Sequence, residues 1–287
     1  MSAKLIINAD DFGLCRGVNK AIIEAHTTGV LTSATIMANM PASDEAIAIA
    51  KKTPTLGVGV HLNVTDGKPL SSASAVQPLL DDAGRLKYSA YKLAFKTLTN
   101  KKILKAVQTE LAAQISSIID RGIKPTHLDS HKHFHCFPLV YKIVCSLAAD
   151  FNIRAIRWPW EPDTVCCGDW PKVGFMDKIR ASLLRKMVLN CQKLDNRFIK
   201  NDIFFGVAHT GRIDDAFWSE IARTQFTGVA EVMTHPGYTD GLDTCRTRLV
   251  EQRAIELKCL CSPVTKQILA DAGIELVHYG NIDKDGK

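Results

Sequence analysis

The chain has 287 residues, 46% of them hydrophobic and 23% charged. That composition excludes an intrinsically disordered, collagen-like or disulfide-scaffold protein, and the length allows one large domain or two small ones. Lys and Arg number 36 against 30 Asp and Glu, a formal net charge of +6, too mild an excess to support nucleic-acid binding without a recognition motif.

Short β-rich runs recur along the chain at Leu5–Ala9, Ala34–Ala38, Gly57–Val64, Thr126–Asp129, Ala155–Trp158, Ile203–Ala208, Val229–Met233 and Glu275–Tyr279. Between them apolar residues fall at helical spacing, as in Val18, Ile22 and Ala25, or Ile179, Leu183, Met187, Leu194 and Phe198. Alternation of this kind predicts an α/β protein with a parallel sheet. About seven to eight strands in a chain this long fit a single-domain, distorted (β/α) barrel of TIM-like type better than two stitched domains, with a doubly wound open sheet as the alternative. No repeat or Pro/Gly-rich linker marks a boundary, so the barrel is expected to occupy residues 1–282, with a polar tail at 283–287.

Nine cysteines without a C-x-x-C pair read as free thiols in a reducing compartment. Nothing at the N-terminus resembles a leader, and no uncharged run reaches the roughly 18–20 residues of a membrane span. The expectation is a cytoplasmic protein. Residues 85–107 carry seven Lys/Arg and no acid, and residues 176–200 carry seven against Asp177 and Asp195. Ordinary solvated helix faces account for such segments. A surface that contacts lipid peripherally is the alternative.

Polar residues cluster after the strands: Asp10-Asp11-Phe12-Gly13 after the first, His61 on the third, His127 to His135 after the fourth, His209 and His235 later. In a barrel, strand C-termini share one face, where active sites are built. Singly, each has a plain explanation. Asp10-Asp11 could serve a turn or cap, and a lone strand histidine is more often packed than ligating. His26 reads as structural, and His278 divides evenly between packing and site. The run His127, Asp129, His131, His133, His135 is poor core material. Strand alternation would put His127, Asp129 and His131 on one side if the strand continued that far. One carboxylate and two imidazoles can hold a divalent ion with positions open for water, and a second carboxylate can accept the water's proton. Asp10 and Asp11 could supply both only if the chain turns there, since adjacent strand residues face opposite sides.

The motifs Asn8-Ala9-Asp10-Asp11-Phe12-Gly13, Gly59-Val60-His61-Leu62, Thr126 to His135 and Thr234-His235-Pro236-Gly237 resemble those of the YdjC-like (ChbG/HpnK) carbohydrate deacetylases, in order and spacing, over nearly the whole chain. That family includes chitooligosaccharide deacetylases and hopanoid-biosynthesis-associated deacetylases. The segment Arg157 to Pro162 and the insertion around residues 66–120 resemble the hopanoid-associated branch slightly more. The resemblance implies a distorted (β/α) barrel and one divalent metal ion, Mg²⁺ or Zn²⁺, held by Asp11, His61 and His131. It implies Asp10 as general base and His235 as general acid. His127, Asp129, His133 and His135 would orient ligands or touch substrate. Trp158 and Trp160 suit stacking on a sugar ring, with Trp158 a candidate substrate contact, and equally suit plain core packing. The implied reaction removes the N-acetyl group from an acetamido sugar, a chitooligosaccharide or a lipid-linked N-acetylglucosamine, releasing acetate. Other metal-dependent amidohydrolases or phosphoesterases usually carry a His-x-His after the first strand, which is absent here. A catalytically inactive sugar-binding relative would have no need for Asp10. A homodimer is unsurprising for an apolar barrel face.

Overall fold

The computed structural model describes residues 3–283; of the polar tail expected at 283–287, residues 284–287 lie outside them. All eight expected strands are present: β1 Ala3–Phe12, β2 Ser33–Ile36, β3 Gly57–Leu62, β4 His127–Ser130, β5 Ala155–Ile156, β6 Ile203–Phe205, β7 Gly228–Thr234 and β8 Glu275–Val277. Every pairing is parallel. The order is β5-β4-β3-β2-β1-β7-β6, with β8 on β1.

β1 is the hub because it is buried on both faces from Leu5 to Phe12, as the apolar run predicts for a central parallel strand. One edge pairs with β7 from Ala3 to Ala9. The other is shared, Lys4–Ile6 with β8 and Asn8–Phe12 with β2. The sheet thus curls into a distorted barrel that does not close by a strand ladder between β5 and β6. That seam is bridged by Ile199, in parallel register with Ala155, by Phe204 N–H on the Trp160 carbonyl at 3.0 Å, and by Asn201. The Asn201 side chain both accepts from Trp158 N–H and donates to its carbonyl, each at 2.8 Å.

The helices are α1 Arg16–Thr27, α2 Ser43–Lys52, α3 Ala73–Val76, α4 Ala90–Thr99, α5 Lys101–Asp120, α6 Pro138–Asp150, α7 Phe175–Gln192, α8 Asp215–Arg223, α9 Glu251–Leu260 and α10 Pro263–Asp271. In α1 the expected face, Val18, Ile22 and Ala25, is buried. In α7 it is not. Ala181, Leu184, Val188 and Cys191 are buried, Leu183 is exposed, and Leu194 and Phe198 lie beyond the helix. Apolar residues on both faces of α7 made the spacing point one residue off. Among the described residues no helix is long and apolar enough to cross a membrane. Cys15, Cys136, Cys145, Cys166, Cys167, Cys191, Cys259 and Cys261 are free thiols.

Candidate metal centre at the strand C-termini

β1 solves the problem of two useful neighbours with a bulge. Its register with β2 jumps from Ala9–Ala34 to Phe12–Ile36, and Asp11 takes φ +67°, a left-handed conformation uncommon outside glycine. Both carboxylates consequently face the same imidazole. Asp10 Oδ2 and Asp11 Oδ1 lie 3.9 and 3.7 Å from His61 Nε2. The turn falls on Asp11 itself.

The two carboxylates have different surroundings. Asp10 accepts from both terminal nitrogens of Arg157, at 2.8 and 2.7 Å, and from Asn8 Nδ2 at 2.9 Å. Burial opposes its ionisation, but the Arg157 guanidinium and His61 outweigh that and hold the carboxyl below its usual range. Asp11 Oδ2 accepts from Arg253 of α9 at 2.5 Å. Asp11 Oδ1 is buried and makes no hydrogen bond of good geometry. Facing it are His61 Nε2 and, at 3.2 Å, His131 Nδ1. The other nitrogen of each ring is occupied: His61 Nδ1 by Asp129 Oδ1 at 2.8 Å, His131 Nε2 by Asp66 Oδ2 at 3.3 Å. Each imidazole is thereby braced by a carboxylate on its far side, the arrangement that orients metal-bound histidines.

Asp11, His61 and His131 therefore fit a divalent cation: an orphaned carboxylate oxygen and two braced imidazoles, their ligand atoms all within 4.8 Å of one another. A second trio, Asp10, His61 and Asp129, is equally compact, but its carboxylates are committed. Asp129 bonds His61, Thr35 at 3.1 Å and Arg157 at 2.7 Å, and Asp10 is taken up by Arg157. The acidity of the site shows in His61. Burial would lower its pKa, but Asp129, Asp10 and Asp11 push it up to about 9.

His235 follows β7, its N–H held by Glu256 Oε2 at 2.6 Å. Its Nδ1 is buried without a hydrogen bond. Burial pushes the ring down to about 4 against the pull of Asp10 and Asp11, so it rests neutral. The His-rich segment divides. β4 stops at Ser130, and His131–Cys136 is a tight turn with Lys132 and His133 left-handed, so the alternation that would align His131 with His127 and Asp129 ends before it. His127 is fully buried and stacks on Tyr279 at 4.2 Å. His135 ties the turn to the barrel through Ser130 Oγ at 2.6 Å and the Arg157 carbonyl at 3.1 Å. His133 packs edge-on to Phe204 at 5.9 Å.

Trp158 is only 7% exposed, with Lys200 Nζ 4.2 Å above its ring and Tyr141 edge-on. It packs the β5–β6 seam rather than offering a face to a sugar. The remaining histidines are structural. His26 bonds the Leu31 carbonyl and Thr55, each at 2.8 Å, His209 the Pro171 carbonyl, and His278 accepts from Gly280 N–H.

Sequence reasoning missed Arg157, Glu231, Arg253, Glu256 and Asp66. Arg157 is fully buried and also pairs with Glu231 at 2.8 Å. Tyr279 Oη donates to Glu231 at 2.6 Å, and burial pushes that carboxyl up to about 7. Charged residues inside predicted strands, Arg157 in Ala155–Trp158 and Glu231 in Val229–Met233, were the visible signals.

A buried centre of carboxylates and imidazoles on the strand ends of a curled parallel barrel defines the class structurally. Comparison with known proteins narrows it: the YdjC-like protein family matches residues 4–271, and the chain belongs to that family. It is 34% identical to a carbohydrate deacetylase of Brevibacillus brevis over 97% of this chain and 99% of that one. It is 34% identical to another from Geobacillus stearothermophilus, over 96% of each. Among solved structures, one described as a cellobiose-phosphate cleavage protein of Enterococcus faecalis superposes with a TM-score of 0.77 at 27% identity, over 97% of this chain and 98% of that one.

Proposed function

We propose that this chain is a carbohydrate N-deacetylase that hydrolyses the acetamide of an N-acetylated amino sugar, on a chitooligosaccharide or a lipid-linked glycoside, with one divalent ion, Mg²⁺ or Zn²⁺. The observation that carries the reading is the unequal pair at the end of β1. Asp11 presents a bare buried oxygen to two ring nitrogens, while Asp10 beside it is ion-paired with Arg157. The names of the relatives support the substrate class.

Asp11, His61 and His131 would hold the ion, which when bound polarises the amide carbonyl and acidifies the attacking water. Asp10, kept ionised by Arg157, accepts the water's proton. Because Arg157 weakens Asp10 as a base, this transfer needs a water already made acidic. His235 rests neutral. As negative charge develops beside it, it takes up a proton from solvent and passes that proton to the departing amine, while the proton held by Asp10 returns to solvent. Asp129 and Asp66 fix the faces that His61 and His131 present, and Glu256 holds the backbone of His235.

The test is acetate release from N-acetylglucosamine compounds, including chitobiose and a lipid-linked glycoside, with chelator and metal add-back. Metal-dependent acetate from any member supports the reading, and the preferred member names the branch. No acetate from the whole panel, with metal bound, would replace it by another amide or ester, or by a binding role.

A further inference from the structure

Helix α4 is apolar on both sides. Ala90, Leu93, Ala94 and Thr97 face inward, while Tyr91, Phe95 and Leu98, one turn apart on the outside, are 62%, 67% and 65% exposed. Scattered apolar surface residues are ordinary, but a continuous stripe marks a surface that something covers. Its surroundings are cationic. Residues 85–107 hold seven Lys/Arg and no acid, and none of the seven forms an ion pair with a carboxylate among the described residues. By contrast, Arg180, Arg185 and Arg197 of the other basic segment pair with Asp177, Asp163 and Asp195. Three ammonium groups, of Lys87, Lys92 and Lys96, gather within 5.2, 5.9 and 5.4 Å of the Tyr88 ring centre. Like charges concentrated beside an apolar stripe call for an anionic, amphiphilic partner.

We propose that the outer face of α4 docks onto an anionic phospholipid membrane, with Tyr91, Phe95 and Leu98 entering the boundary between headgroups and acyl chains and the lysines meeting lipid phosphates. A second copy of the chain fits poorly. A two-fold interface would bring this face against itself, cation against cation with no acid between. α4 packs against the turn His131–Cys136, and Tyr91 touches Phe137 edge-on at 5.8 Å. Docking therefore holds the mouth of the barrel next to the lipid surface. The inference does not rest on the deacetylation reading.

Flotation of the full chain with phosphatidylcholine vesicles, with and without phosphatidylglycerol, tests it. The wild type floats with the anionic vesicles and not with phosphatidylcholine alone, and added salt releases it. Lys92→Gln/Lys96→Gln lowers partitioning about 30-fold, about fivefold for each lysine neutralised. Phe95→Ser/Leu98→Ser also abolishes flotation, and both variants melt like the wild type because Lys92, Phe95 and Leu98 are exposed and the half-buried Lys96 forms no ion pair with a carboxylate among the described residues. Wild-type protein that stays unbound with anionic vesicles overturns the proposal. Variants that float as well as the wild type do the same. So does light scattering that finds a wild-type dimer split by Phe95→Ser/Leu98→Ser, which would give the face to a second copy.

Discussion

Arg157 and Asp129 should prove energetically inseparable. Arg157 is fully buried and meets carboxylates from three strands: Asp10 at 2.8 and 2.7 Å, Asp129 at 2.7 Å and Glu231 at 2.8 Å. Arg157→Met strands those acids without a counter-charge and costs about 3–5 kcal/mol, as breaking a buried ion pair does. That is a large part of the roughly 5–15 kcal/mol typical of a folded domain. Asp129→Asn alone costs about 3 kcal/mol, since it abandons both Arg157 and His61. Once Arg157 is gone, the Asp129 charge is a liability, so the second change costs about 1 kcal/mol or less, a coupling of about 2 kcal/mol. Urea denaturation of the four proteins in chelator measures this. Burial opposes ionisation of Asp129, but Arg157 and His61 outweigh it and hold its pKa low. Its contribution is thus complete above the unfolded value of about 3.9 and fades as acid titrates the folded carboxyl. Additive costs at neutral pH, or an Arg157→Met protein within about 1 kcal/mol of wild type, would refute the reasoning.

Other residues give simpler tests. Asp66→Ala frees His131 Nε2 and should weaken divalent-metal affinity about 10–100-fold by calorimetry. Gly59→Ala would put a Cβ 2.5 Å from the buried His127 ring and 2.8 Å from its carbonyl oxygen, costing about 1–3 kcal/mol in thermal or urea unfolding. Trp158→Ala should lose about 3–5 kcal/mol of stability while the KM of the folded fraction stays unchanged. A raised KM at unchanged stability would return Trp158 to the sugar site.

The strands and the first-strand carboxylates were legible because burial on both faces of a parallel sheet writes itself as apolar runs, and an acid pair closing such a run has no packing explanation. The bulge at Asp11 was not legible, since left-handed backbone in a non-glycine residue is imposed by tertiary context. Arg253 and Glu256 sit on α9, where charged residues at helical spacing look like any solvated face until the helix is docked. Asp66 lies in a loop whose course is set by Asn63, whose side chain accepts from the N–H groups of Thr65 and Asp66. Within His127–His135, alternation failed because Lys132 and His133 turn the chain, so histidines close in sequence perform different tasks.

The measurement closest to the heart of the account pairs two variants of adjacent residues, Asp10→Asn and Asp11→Ala, each assayed for bound divalent metal and for acetate release. Asp10→Asn should keep the metal and lose turnover, because the proton acceptor is gone while Asp11, His61 and His131 remain, whereas Asp11→Ala should lose both. Metal retained in Asp11→Ala, or turnover surviving in Asp10→Asn, would contradict the division of labour that the bulge at the end of β1 sets up.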